Sequence, residues 1–132
     1  MEQTFVMVKP DAVAKGLIGE IVKRFENKGL EIKELRLLTL SQEKAAELYA
    51  VHKERPFFND LVEYVTGGPV VVMKLEGQSA VVTARNIIGA TNPVEAASGT
   101  IRGDFGLDIS QNLIHGSDSP ENAQKELSIF FE

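Results

Sequence analysis

Asn112-Leu113-Ile114-His115-Gly116-Ser117-Asp118-Ser119 runs directly into Pro120. Leu113 and Ile114 read as a short strand that delivers His115 at its end, and Gly116 allows a tight turn after it. Ser119 and Pro120 fit the N-cap and first position of a helix, where Glu121 suits the positive end of the dipole. A strand end facing a helix start gathers backbone N–H groups, a suitable place for a nucleophile that handles anions. A strand-end histidine on its own is more often structural, so the flanking chain decides the reading.

Outward from this octad, the chain alternates between two periodicities. Gln3 to Lys9 is a strand rich in Phe, Val and Met, ended by Pro10, which cannot donate a ladder hydrogen bond. Ile18, Ile21, Val22 and Phe25 recur at helical spacing between Leu17 and Lys28, and Gly29 closes that helix. Leu30 to Leu40 is a second strand. Ser41 caps a helix carrying Ala45, Ala46, Leu48 and Tyr49 that runs to the break at Arg55-Pro56, and Phe57 to Val65 resumes it. Pro69 to Leu75 is a nearly continuous apolar strand covered on both faces, and Gln78 to Ile88 is helical, stopped by Gly89.

Ala90 to Gln111 shows no clear periodicity and contains three glycines, Gly99, Gly103 and Gly106. It is too apolar for disorder (Ile101, Phe105, Leu107, Ile109), which predicts an ordered binding loop whose glycines let backbone approach a ligand. Pro120 begins the last helix. The order β-α-β-α(α)-β-α-loop-β-α predicts an α/β (α+β) fold of the ferredoxin-like, split βαβ kind. That is a four-stranded antiparallel sheet with helices packed on it and a long binding loop before the last strand. A small doubly wound parallel sheet fits the same order.

The totals narrow the classes. With 132 residues and no repeat or linker, one domain over residues 1–132 is expected. The absence of cysteine removes disulfides, thiolate chemistry and Cys-type zinc sites. Met1-Glu2-Gln3-Thr4-Phe5 lacks the basic and apolar regions of a signal peptide, and no apolar run reaches membrane-span length, so a cytoplasmic protein without a membrane partner is expected. A net charge of -5 argues against a broad nucleic-acid surface.

Cations nevertheless stand at structural breaks: Lys9 at a strand end, Arg55 before a proline, Arg85 late in a helix and Arg102 in the long loop. Singly, each is ordinary surface charge; with His115 they describe a pocket for a polyanion. Thr91, Asn92 and Thr100 add neutral donors, which favours phosphate over carboxylate. No P-loop, dinucleotide fingerprint or H-E-x-x-H is present, and His52, in the helix before Lys53-Glu54, is expected to face solvent. On the last helix Ala123, Leu127 and Phe130 form an apolar stripe, with Glu126 beside it. A carboxylate at that edge reaches His115 or Ser117, or is solvated.

Five segments taken together resemble one family. They are Val8-Lys9-Pro10-Asp11, Arg55-Pro56-Phe57-Phe58, Gly89-Ala90-Thr91-Asn92-Pro93, Gly99-Thr100-Ile101-Arg102-Gly103-Asp104 and the octad at 112–119. In order and over nearly the whole chain, these resemble nucleoside diphosphate kinase. The resemblance implies transfer of the γ-phosphoryl of ATP or another nucleoside triphosphate to a nucleoside diphosphate, by a ping-pong mechanism through a phosphohistidine on His115. It also implies that Lys9 and Asn112 bind the ribose hydroxyls and that Phe57 stacks on the base. Arg85, Thr91 and Arg102 would hold the phosphates with Arg55 close to them, and Tyr49 and Glu126 would support the histidine, Glu126 through Ser117. Mg2+ would bridge the nucleotide phosphates without a dedicated protein cage. Stacking reads a base loosely, so broad base tolerance is expected. Relatives assemble as hexamers or tetramers built from dimers; a homo-hexamer is expected here, the long loop serving contacts around a threefold axis. The chain departs from the family pattern at Ser98, at Ser110-Gln111, and in stopping at Phe131-Glu132 short of the tail many relatives carry. A non-catalytic ferredoxin-like nucleotide-sensing module is the alternative, using the same cations without His115.

Overall fold

The computed structural model describes residues 1–131; Glu132, part of the Phe131-Glu132 end named above, lies outside them. In chain order the elements are β1 (Glu2–Val8), α1 (Pro10–Ala14), α2 (Ile18–Lys28), β2 (Glu31–Thr39), α3 (Gln42–Leu48), α4 (Phe58–Thr66), β3 (Pro69–Gly77), α5 (Ala80–Ile88), α6 (Ile101–Phe105), β4 (Ile114–Gly116) and α7 (Pro120–Phe130). Single 3-10 turns add Ala50–His52 and Pro93–Glu95. The sheet has four strands in the order β2-β3-β1-β4, and every pairing is antiparallel. This is the ferredoxin-like, split βαβ arrangement, and it excludes the parallel alternative.

Strand alternation splits the core into two layers. Val6 and Val8 of β1, with Val71, Met73 and Leu75 of β3, pack with Ile21, Phe25, Ala80, Ala84 and Ile88 of α2 and α5 on one face. Phe5, Met7, Val70 and Val72 pack with Leu48, Val65, Leu127 and Phe130 of α3, α4 and α7 on the other. β1 and β3 are therefore covered on both faces, as their unbroken apolar runs require. The edge strand β2 keeps Leu35 and Leu37 exposed. Among the described residues no helix is long and apolar enough to cross a membrane.

Several local expectations need correction. Pro10 ends β1 and also opens α1 at its first turn, where a missing N–H costs nothing. α3 ends at Leu48, not at Arg55-Pro56, and the chain passes into the 3-10 turn at Ala50–His52. The segment 90–111 is not structureless. Asn92 caps a 3-10 turn by accepting from the Val94 amide at 3.2 Å, and Thr100 caps α6 by accepting from the Gly103 amide at 3.0 Å. Both pieces are too short to show a period.

Two of the three glycines of that segment, Gly103 and Gly106, are required by its own packing, while Gly99 has open space beside it and a positive φ of 97°. A Cβ on Gly103 would lie 2.0 Å from the Ala97 carbonyl oxygen, and one on Gly106 would lie 2.8 Å from Pro93 Cβ. Gly116 belongs to β4 and makes no turn; its missing side chain admits Ile88, whose Cδ1 would be 2.6 Å from a Cβ there.

Candidate active site

β4 pairs with the end of β1, setting His115 opposite Met7. The side chain emerges at the floor of an open cleft of about 1520 Å3, more than the ~300–1,000 Å3 usual for a drug-sized ligand and enough for a base, ribose and phosphates together. The α3–α4 region, the segment 85–112 and one face of α7 (Asn122, Lys125, Glu126 and Ile129) line it. His115 Nε2 lies 2.8 Å from Glu126 Oε1, and the Ser117 hydroxyl donates to the same oxygen at 2.6 Å. Of the edge positions open to Glu126, the structure selects the one bonded to both partners. The carboxylate accepts Nε2–H, which leaves the ring's lone pair on Nδ1, a nitrogen with no hydrogen bond among the described residues. The Tyr49 ring stands edge-on to the imidazole, centroids 5.7 Å apart at 84°. Its hydroxyl is buried without a partner among the described residues, and burial, reinforced by the Glu126 charge, raises its pKa.

Asn112 and His115 meet in the cleft because the backbone reverses between them. Strict alternation would put Asn112 and His115 on opposite faces. Leu113 breaks it with φ +75°, and the Ile114 amide donates to the Asn112 carbonyl at 2.9 Å, a γ-turn. Asn112 thus precedes the strand and lines the cleft with His115. Its Oδ1 accepts from Lys9 Nζ at 2.8 Å, and its Nδ2 donates to the Thr91 carbonyl at 3.0 Å.

Lys9, Arg85 and Arg102 converge here from β1, α5 and α6. Arg102 is 5% exposed and donates to the backbone carbonyls of Asn112 (3.1 Å), Gly89 (3.1 Å) and Ile114 (2.6 Å). Three of its five N–H groups are so engaged and the rest remain for the cleft. Arg85 donates to the Gly116 carbonyl at 3.0 Å. Burial, with the neighbouring Arg102 charge, lowers Lys9 to about 8 against an opposing pull from Asp11. Burial and Arg85 lower Arg102 to about 10. Cations held together against their own repulsion make a site that an anion relieves.

Two expectations about position fail. Arg55 is exposed and does not line the cleft; among the described residues it has no ion-pair partner to draw it inward. His52 does not face solvent. It is half-buried, stacked on Tyr49 (centroids 6.5 Å) and 5.4 Å from the Phe57 ring, because the chain leaves the α-helix before reaching it. Phe57 stands 48% exposed on the cleft wall, its face available for stacking. Sequence reasoning gave Asp11 and Asp118 no role. Asp118 accepts from Asn122 Nδ2 at 2.6 Å, and that bond, with Arg85 and His115 nearby, holds its carboxyl below the usual range. The pairing of Asp118 with Asn122 one helical turn on was the available signal.

A family model described as nucleoside diphosphate kinase matches residues 2–132. The chain belongs to the nucleoside diphosphate kinase family. The nucleoside diphosphate kinase of Nitratiruptor sp. is 59% identical over 99% of this chain and 96% of its own length, and that of Trichormus variabilis is 58% identical over 99% and 88%. A crystal structure of the nucleoside diphosphate kinase of Aquifex aeolicus superposes with a TM-score of 0.97 at 48% identity, covering 99% of this chain and 95% of that one. The chain is accordingly a phosphotransferase acting on nucleotides.

Proposed function

We propose that the chain moves the γ-phosphoryl of a nucleoside triphosphate to a nucleoside diphosphate in two half-reactions through His115, within one domain spanning residues 1–132. The carrying observation is the imidazole whose Nε2 is fixed by Glu126 while Nδ1 is left for the cleft. In the first half, the Nδ1 lone pair forms a bond to the γ-phosphorus and the bond to the β–γ bridging oxygen breaks, releasing the diphosphate. Nε2 keeps its proton, and the Glu126 carboxylate balances the positive charge on the ring. In the second half, a terminal oxygen of the acceptor diphosphate takes the phosphoryl group and the lone pair returns to Nδ1.

Arg85 and Arg102 stabilise charge on the transferring group, with Thr91 beside them. Lys9 and Asn112, joined at 2.8 Å, present polar atoms to the ribose, and Phe57 stacks on the base with little discrimination between bases. The substrate is the magnesium complex of the nucleotide. Magnesium would be carried by the phosphate oxygens of the bound nucleotide and supply charge neutralisation there. A homo-hexamer, with a tetramer as the alternative, would cover Leu35 and Leu37 on β2 and Val94, Leu107 and Ile109 in the 90–111 segment, all exposed in one chain. Sedimentation at two concentrations separates these states.

The deciding experiment incubates the protein with γ-labelled ATP. An acid-labile, base-stable protein phosphate is expected, discharged by added GDP or CDP and absent in His115→Ala. Label that stays on ATP while the nucleotide binds would mean a sensor instead.

A further inference from the structure

Leu113 is fully buried and carries a side chain, yet it adopts a positive φ that such residues keep only when their surroundings hold them there. Both of its backbone polar groups are held by the corner after β1. The Leu113 carbonyl accepts from the Lys9 amide at 2.8 Å, and the Leu113 amide donates to Asp11 Oδ2 at 3.2 Å. The other carboxylate oxygen, Oδ1, accepts from the Tyr64 hydroxyl on α4. Asp11 is thus fixed from one side by α4 and grips the γ-turn from the other.

We propose that Asp11 is a positioning residue, whose carboxylate locks the left-handed turn at Leu113 and so turns Asn112 and His115 into the same cleft. The inference deepens the transfer reading above and rests on it for its catalytic meaning. With the Leu113 amide released, the residue relaxes toward extended backbone. Period-two alternation then rotates Asn112 away from Lys9 and strains the imidazole's seat against Glu126. Arg102 braces the same turn through the Asn112 and Ile114 carbonyls but touches neither polar group of Leu113, so it does not replace Asp11. Asparagine can substitute in part, its single oxygen accepting the Leu113 amide while its NH2 turns to Tyr64.

The test reads the His115 ring directly. Nitrogen-15 spectra of the nucleotide-free protein should show one fixed tautomer in the wild type, an averaged pattern in Asp11→Ala, and return toward the fixed pattern in Asp11→Asn. Tyr64→Phe, which keeps the Leu113 bond but frees the Asp11 Oδ1, should move the ring pattern less than Asp11→Ala does. Phosphorylation by saturating labelled ATP should slow at least tenfold in Asp11→Ala, with a smaller change in nucleotide Kd. A folded Asp11→Ala with the wild-type ring and a rate within twofold overturns the proposal. So does Tyr64→Phe matching Asp11→Ala, which would place the effect in the α4 wall. Should Asp11→Ala fail to fold, amide exchange in the wild type still decides. The Leu113 proton must be as protected as the core amides of β1, and rapid exchange overturns the proposal. Because the ring pattern needs no turnover, a wild type that takes no label defeats the transfer reading without deciding the role of Asp11.

Discussion

Glu126→Gln isolates one charge. Both hydrogen bonds at Glu126 fall on Oε1, so the carbonyl oxygen of glutamine can keep the Nε2–H bond at 2.8 Å and the Ser117 bond at 2.6 Å with little movement. What disappears is the negative charge beside a ring that becomes cationic on phosphorylation. The side chains are only 19% and 14% exposed, so screening by water is modest. At ~4 Å between charge centres and an effective dielectric near 20, a full pair is worth about 4 kcal/mol. With roughly half the ring charge developed in the transition state, about 2 kcal/mol is lost, close to a thirtyfold slowing. The independent comparison of charge-assisted with neutral hydrogen bonds, about 1.5–3 against ~0.5–1.5 kcal/mol, gives a smaller loss of about 1–1.5 kcal/mol, close to a tenfold slowing. Glu126→Ala also strands Nε2–H, adding about 1–3 kcal/mol and taking the slowing to a hundredfold or more. Rapid-quench measurement of protein phosphorylation at saturating ATP checks both. A Glu126→Gln rate within twofold of wild type would show that the charge does not act on the transferring state.

Arg102→Ala should cost about 2–4 kcal/mol of transition-state stabilisation, and a loss below roughly tenfold in turnover, about 1.4 kcal/mol, removes Arg102 from the phosphate site. Its melting temperature should fall too, since three backbone carbonyls lose their donor. Lys9 is held at about 8 in the folded chain against 10.5 unfolded, so between those values the unfolded state binds more protons and stability rises with pH; below 8 the full penalty of the buried charge is present. A polyanion restores the Lys9 proton, so nucleotide binding at pH 8.5–9 should take up protons, seen as a buffer-dependent heat in calorimetry that Lys9→Ala abolishes. Gly116→Ala should destabilise by about 1–3 kcal/mol through collision with Ile88, and adding Ile88→Val, which removes the offending Cδ1, should recover part of that in a denaturant melt.

What the residues disclosed by themselves were the features written between near neighbours. The period of Ile18, Ile21, Val22 and Phe25, the Ser41 and Ser119 caps and the apolar runs of β1 and β3 each depend on residues within a turn or a pleat of one another. They were enough for the order of the strands and the longer helices, and the quoted motifs named Lys9, Arg85, Arg102, His115 and Glu126, which the fold brings to one cleft. Short pieces escaped: α1 and α6 are each five residues long and complete no period. His52 and Arg55 were misplaced because the switch from α-helix to 3-10 turn after Leu48 turns the chain by an amount that composition does not encode.

Tertiary structure alone decided how distant residues meet. Lys9 and Asn112 are 103 residues apart and share a 2.8 Å hydrogen bond, a contact fixed by β4 docking beside β1. The packing demands on the glycines at 103, 106 and 116 were invisible because the atoms that exclude a Cβ come from Ala97, Pro93 and Ile88, and Gly116 proved to be a strand residue rather than a turn. The clearest case is Leu113. Propensity would make it an extended residue, and tertiary contacts from Lys9, Asp11 and Arg102 surround the reversed turn that puts Asn112 and His115 on one cleft. Local pattern fixes what each segment can be; packing energy, summed over contacts far apart in the chain, fixes which strained conformation is worth keeping.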